Sequence, residues 1–146
     1  MKSKLPCLFL LVIISLLGAG CEKTITMRIQ GSVFSLELWS NWKFIEGQGF
    51  DTHVGVFTDG VNDIHFDYGY FAGVNLNAIQ PDSNYLYYEE TVIDGAPAKI
   101  FKINKEGKSY LNLYIQKVES DSAKLWIEDP DDDERYIAIF KSFRFL

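Results

Sequence analysis

The amino-acid sequence predicts an α+β domain, in which an antiparallel β-sheet packs against one C-terminal helix. Several stretches alternate apolar and polar residues with the period of two that half-buried strands show. Turn-forming pairs such as Asp59-Gly60 and Asp94-Gly95 separate these stretches, as expected for antiparallel neighbours. The apolar spacing becomes helical only near the C-terminus. Strands followed by one packing helix give this fold class.

The N-terminal segment is typical of a secretory signal rather than of a folded domain. A positively charged start precedes an apolar stretch from Cys7 to Leu17, and small residues stand directly before Cys21. This stretch is shorter than the about 20 apolar residues that a membrane-spanning helix needs. Residues 1–20 are therefore predicted to be a signal peptide that is removed.

Cys21 follows small residues, and this junction resembles the lipobox of bacterial lipoproteins. In those proteins the cysteine thiol takes a diacylglycerol and a peptidase cuts before it. The resemblance implies that a lipid on Cys21 anchors the chain in the bacterial cell envelope. Glu22, where relatives retained at the inner membrane often carry Asp, favours the outer membrane on its periplasmic side. An ordinary signal peptide that leaves a free Cys21 is the alternative.

Charge and cysteine content disfavour several classes of function. Removal of residues 1–20 takes two of the 14 basic residues and none of the 20 acidic ones, so the formal charge becomes 12 minus 20, or −8. Phosphate backbones and anionic headgroups repel an acidic domain, which disfavours nucleic-acid binding and electrostatic docking to a membrane. With Cys7 removed and Cys21 acylated, no cysteine remains for a disulfide, a thiolate nucleophile or a zinc site.

The rest of the chain has the size of one domain. Its composition, 47% hydrophobic and 15% aromatic over the whole sequence, suffices for one core. Residues 21–30 are predicted to form a short tether and residues 31–146 a single domain. Alternation and turn residues predict strands or hairpins, in chain order, at residues 32–39, 53–71, 84–103, 109–118 and 123–129. Residues 72–84 lack this pattern and are predicted to be a loop.

The C-terminal segment changes from strand to helical spacing. The apolar residues that recur at helical spacing there are Tyr136, Ile137, Ile139, Phe140 and Phe143. They predict an amphipathic helix from Asp131 to Ser142 that packs on the sheet. The acidic residues 128–134 suit the first turn of this helix, where carboxylates interact favourably with unpaired N–H groups. They do not match a calcium-binding EF-hand loop, because the required Gly and Glu positions hold other residues.

Two sets of sequence stretches carry a resemblance to known families. The order of "FSLELWSNWKF", a hairpin, "TVIDGAPAKIFK" and a closing "YIAIFKSFRF" is similar to the PsbP-like (Mog/PsbP/DcrB-like) fold. The inner "GQGFDTHVG" and "HFDYGYF" resemble a group of bacterial lipoproteins, mainly from Bacteroidetes, in which Gly-x-Asp-Ser-x-x-Gly precedes Phe-Asp-Tyr-Gly. Proteins of this fold are mostly binders and assembly factors without catalysis. The resemblance therefore implies a binding role but no particular ligand.

The candidate site lies on the predicted hairpin of residues 53–71. If Thr58 pairs with Ile64 across a five-residue loop, His53 lies opposite Gly69. His53 and Asp67 are then diagonal neighbours on one face of the sheet. A structural hydrogen bond between these two side chains and a functional pair are both compatible with this pattern.

The predicted hairpin pairing also disfavours a shared metal. His65 lies roughly 14 Å further along the strand than the residue opposite His53, so the two imidazoles do not meet. The predicted binding set shares one face and consists of Asp51, His53 and Asp67, with Gly55 and Gly69 leaving side-chain space beside them.

Together these patterns predict a lipid-anchored binding or assembly module of the cell envelope, without catalytic activity, cofactor or metal. Its expected partners are the membrane, through the lipid on Cys21, and either an unknown envelope protein or a small polar ligand. The alternative is a small enzyme or metal-binding protein that uses the hairpin face of Asp51, His53 and Asp67.

Overall fold

The computed structural model describes residues 22–29, 32–117 and 121–146, with side chains from Phe34 onward. The predicted signal peptide and Cys21 lie outside the described residues. The strands are β1 (Glu22–Ile29), β2 (Ser32–Trp39), β3 (Lys43–Glu46), β4 (His53–Thr58), β5 (Asp63–Gly69), β6 (Tyr85–Ile93), β7 (Ala96–Lys105), β8 (Lys108–Gln116), β9 (Ser122–Glu128) and β10 (Arg144–Phe145). One α-helix, α1, spans Asp133–Lys141, and a short 3-10 helix spans Leu76–Ala78.

The strands form two antiparallel sheets. The larger sheet has seven strands in the order β3-β4-β5-β9-β8-β7-β6, and the smaller has three in the order β1-β2-β10. Every strand pair is antiparallel. With α1 this gives a mostly antiparallel α+β architecture, as the sequence predicts.

The main core lies on the face of the larger sheet that α1 and β2 cover. Its residues are almost fully buried, and those from the larger sheet include Phe57, Ile64, Phe66, Leu125, Leu113 and Ile100. Phe34 on β2 fills the centre of this layer. Its ring centroid lies 5.4 Å from that of Phe66 and 5.4 Å from that of Phe143, which follows α1. Aromatic burial of this kind dominates the energetics of a small core.

A second apolar cluster covers part of the opposite, outer face. Val74, Leu76 and Ile79, from the loop before β6, pack with Phe101 on β7. The buried ammonium of Lys99 donates to the Ile79 carbonyl at 2.7 Å and so ties the loop to the sheet. The prediction of a loop over residues 72–84 is confirmed, apart from the single 3-10 turn.

One polar contact caps the N-terminus of helix α1, and another ties its C-terminal end to the sheet. The Asp132 carboxylate caps it by accepting the Arg135 N–H at 3.1 Å, so the helix begins two residues later than predicted. Near its other end, the Lys141 ammonium lies 2.9 Å from the Glu89 carboxylate on β6. This hydrogen bond lowers the pKa of Glu89. The buried residues Tyr136, Ile139 and Phe140 face the sheet.

Three strands were not predicted. Residues 22–29, expected as part of a tether, form β1, which pairs with β2 along its whole length from Glu22–Trp39 to Ile29–Ser32. The short strands β3 and β10 lie where the sequence predicts no strand. Among the described residues no helix is both long and apolar enough to cross a membrane.

The docking of α1 can be tested with Phe140→Ala. Phe140 is 0% exposed, and removing a buried phenylalanine ring costs about 3–5 kcal/mol. Chemical unfolding should therefore show a loss of that size. Val61→Ala, at a position 89% exposed, serves as the control and should change stability by less than about 0.5 kcal/mol. A Phe140→Ala variant as stable as the control would contradict the packing of α1 on the sheet.

Candidate functional site

The turn between β4 and β5 has four residues, 59–62. The Asp59 carboxylate accepts the backbone N–H groups of Val61 at 3.0 Å and Asn62 at 2.8 Å, while the Asp59 N–H donates to the Asn62 carbonyl at 3.2 Å. Burial raises the pKa of Asp59, but these hydrogen bonds and the Arg135 charge outweigh it and leave the pKa below its ordinary value. The ionised Asp59 therefore closes the turn so that Thr58 pairs with Asp63.

This turn makes the predicted pairing of Thr58 with Ile64 wrong by one residue. His53 pairs with Tyr68, and Val54 pairs with Asp67. Because side chains alternate along a strand, a one-residue shift moves a whole set to the other face. His53 therefore lies on the inner side and Asp67 on the outer side of the sheet. The predicted common face of Asp51, His53 and Asp67 does not exist in the structure.

Packing explains Gly55 of the predicted site, and backbone conformation explains Gly69. A Cβ on Gly55 would lie 2.7 Å from the Phe44 ring and 2.8 Å from the Phe66 ring, so these rings already occupy the space. Gly69 has φ +134°, a conformation that L side chains rarely adopt. The space beside Gly55 is therefore filled by aromatic rings, and Gly69 is explained by its backbone conformation.

Asp67 belongs to a separate group on the outer face. Its Oδ2 atom lies 3.8 Å from the Lys124 ammonium on β9, and these side chains are 22% and 24% exposed. The Lys124 ammonium also lies 5.9 Å from the ring centroid of Tyr114. Asp67 Oδ1 is buried and accepts no hydrogen bond from the described residues. The group is a partly buried ion pair beside an aromatic ring.

His65 lies on the same outer face but makes a different contact. Its ring stacks on Trp126 of β9 with centroids 5.3 Å apart and an interplanar angle of 11°. In the part of the chain that the structure describes, no three His, Cys, Asp or Glu side chains are placed to hold a metal ion together.

Asp51 lies in the loop that joins β3 to β4, and His53 is the first residue of β4. Residues 46–54 line a polar cleft of about 230 Å³ there. The Gly47 N–H donates to the Val54 carbonyl at 3.0 Å and closes the base of the loop. Gly49 comes so close to Thr52 that a Cβ would lie 2.0 Å from the Thr52 carbonyl oxygen. The "GQG" sequence therefore allows a tight loop, and this cleft retains two of the three predicted site residues.

Three exposed aromatic side chains on two neighbouring loops form what we call the aromatic tip: Phe50, which lines this cleft, and Tyr70 and Phe71, which line a separate groove with Lys117. Phe50 is fully exposed, and Tyr70 and Phe71 are 68% and 63% exposed. The rings of Tyr70 and Phe71 meet edge to face at 4.9 Å. The loop of Phe50 lies close to the end of β5, because a Cβ on Gly69 would lie 3.8 Å from the Thr52 Cα. Sequence reasoning missed the aromatic tip because it placed Tyr70 and Phe71 inside a strand, whereas β5 ends at Gly69.

The beginning of β1 and the aromatic tip lie at opposite ends of the fold. Glu22 pairs with Trp39 at one end of β2. The Arg135 guanidinium lies 4.3 Å from the Trp39 ring and 3.5 Å from the Asp59 carboxylate. The start of β1 therefore lies beside the Asp59 turn, which we call the turn end. The six residues of β4 separate this end from the loop that carries Phe50, a distance of roughly 20 Å.

The chain was compared with known protein families and with curated proteins. No protein-family model matches it, and no curated protein matches it at a significant level.

The separation of His53 from Asp67 can be tested by a double-mutant cycle. Side chains on opposite faces with no shared partner should show additive effects, within about 0.5 kcal/mol. His53→Ala and Asp67→Asn should therefore add in chemical unfolding. Asp67→Asn combined with Lys124→Met serves as the positive control, because those two side chains form an ion pair and should be coupled. Coupling between His53 and Asp67 well above about 0.5 kcal/mol would contradict the observed register.

Proposed function

We propose that this chain is a lipid-anchored binding or assembly module of the bacterial cell envelope that works without catalysis. In this proposal a lipid on Cys21 holds it in a membrane, the outer membrane on the periplasmic side, and the fold is a PsbP-like one. The module presents the aromatic tip to a binding partner.

The proposal of an anchor rests on the N-terminal sequence and on the start of the fold. A charged start, an apolar stretch and small residues lead to Cys21. Strand β1 begins at Glu22, the residue that follows this cysteine. A lipid on Cys21 would therefore be joined directly to a paired strand, and the turn end would face the membrane.

The observation that carries the proposal of binding is the aromatic tip at the other end. Large apolar side chains that cluster on a surface mark interaction sites more often than scattered ones do. Phe50 is fully exposed, and the largely exposed rings of Tyr70 and Phe71 contact each other edge to face. Two acyl chains or more give stable attachment to a bilayer. Because β1 begins at the turn end, a lipid on Cys21 would leave the aromatic tip at the far end of the domain, directed away from the membrane.

The alternative function needs one face that carries Asp51, His53 and Asp67 together. The register of β4 and β5 places His53 and Asp67 on opposite faces. The three residues therefore do not form one face, although Asp51 and His53 line the same cleft.

The anchor can be tested with Cys21→Ser, using Cys7→Ser as the matched control. Wild type and Cys7→Ser should partition into detergent and yield an N-terminal peptide that begins at Cys21 and carries added lipid mass. Cys21→Ser should not be processed at that position, because the attacked thiol is missing. Mass spectrometry of the mature N-terminus checks both. An unmodified Cys21 in the mature wild-type protein would contradict the anchor.

A further inference from the structure

We infer that the aromatic tip is the docking site for a segment of a partner protein that combines apolar side chains with lysine or arginine. This inference rests on the proposed function and names the class of partner that the module would hold. It draws on the shape of the aromatic tip, on the charges beside it and on its position in the fold.

Backbone and side-chain contacts fix the loops that carry the aromatic tip before any partner binds. The Gly47–Val54 hydrogen bond closes the loop of Phe50. In the other loop, the Gly69 carbonyl accepts the Ala72 N–H at 3.3 Å and the Ser122 hydroxyl at 3.1 Å. A preformed surface loses little conformational entropy on binding. Exposed aromatic rings on such a surface are the side chains that most often dominate binding energy at interfaces.

The charges beside Phe50 are negative. Glu46 and Asp51 line the same cleft as Phe50, and both are exposed. Among the ion pairs of the described residues, neither carboxylate has a basic partner. Lys117 lines a different groove, with Tyr70 and Phe71, and Lys124 pairs with Asp67. The cleft is therefore complementary to a basic group, and a guanidinium can also stack on an aromatic ring.

Two other occupants fit these charges less well. A bilayer with anionic headgroups would be repelled by Glu46 and Asp51, and the aromatic tip lies at the end opposite the proposed anchor. A second copy related by a two-fold axis through the cleft would set the carboxylates of one cleft against those of the other. A basic, apolar segment of another protein satisfies both the rings and the carboxylates.

Site-specific photo-crosslinking in whole cells tests this inference. A photoreactive amino acid at Gln48 stands on the loop of Phe50 and leaves Phe50, Glu46 and Asp51 intact. The same amino acid at Val61, exposed at the turn end, is the control. The expected result is a discrete protein adduct from position 48 that position 61 does not give. The crosslinked partner peptide should contain lysine or arginine together with apolar residues.

Two variants sharpen the test. Phe50→Ala and Asp51→Lys should each reduce the adduct from position 48 by about tenfold or more, because one removes a central ring and the other reverses a complementary charge. Both positions are exposed, so both proteins should fold like wild type. Val61→Ala should leave the adduct unchanged.

The remaining outcomes separate the docking site from the proposed anchor. Adducts from position 48 only with lipid, only with a second copy, or with a partner peptide lacking basic residues would each overturn it. A lipidated Cys21 without any protein adduct at position 48 would overturn it while leaving the proposed anchor intact. A retained adduct on a chain with unmodified Cys21 would overturn the anchor instead and support the docking site.

Discussion

The rest of the structure depends on the turn that Asp59 closes between β4 and β5. Its carboxylate accepts two backbone N–H groups and pairs with Arg135, which in turn lies over the Trp39 ring. The turn is thereby linked to α1 and β2. It sets the register that sends Ile64 and Phe66 into the core. A slip of one residue would expose this apolar face and bury the polar one.

The amino-acid sequence predicts the larger elements well, because burial leaves a period that can be counted. Phe34, Leu36 and Leu38 alternate with less apolar residues, and β2 has the predicted bounds. The helical spacing of Tyr136, Ile139 and Phe140 likewise predicts α1. Apolar and polar residues also alternate in β1, "EKTITMRI", but this segment was predicted to be a tether and not a strand. Strands β3 and β10 have four and two residues, too few for a period, and they form only because their neighbours offer a free edge.

The site was harder to predict because it depends on the length of one turn. Both Asp59-Gly60 and Asn62-Asp63 favour turns, and the sequence does not show which pair ends the strand. The side-chain hydrogen bonds of Asp59 decide between them, and they are visible only in three dimensions. Asp51 and His53 line the same cleft because they lie two residues apart in the chain, a proximity that does not depend on the register. Asp67 was misplaced because its position depends on the register.

The aromatic tip could not be predicted from the sequence, because exposed and buried aromatic residues look alike there. Phenylalanine and tyrosine in a small β-rich domain are usually core residues, and nothing in the sequence marks Phe50, Tyr70 and Phe71 as exposed. What exposes them is backbone geometry: a tight loop at Gly49 and the positive φ of Gly69 that ends β5. The same geometry places these rings at the end opposite the start of β1, where a domain anchored at Cys21 would meet a partner.

The register of β4 and β5 can be measured directly by NMR in solution. Cross-strand backbone nuclear Overhauser effects should pair Val56 with His65 and Gly55 with Phe66, as the structure does. That result would support the separation of His53 from Asp67 and the division between the core and the outer face. Contacts that instead pair Val56 with Phe66 and Gly55 with Asp67 would contradict the register and return His53 and Asp67 to one face.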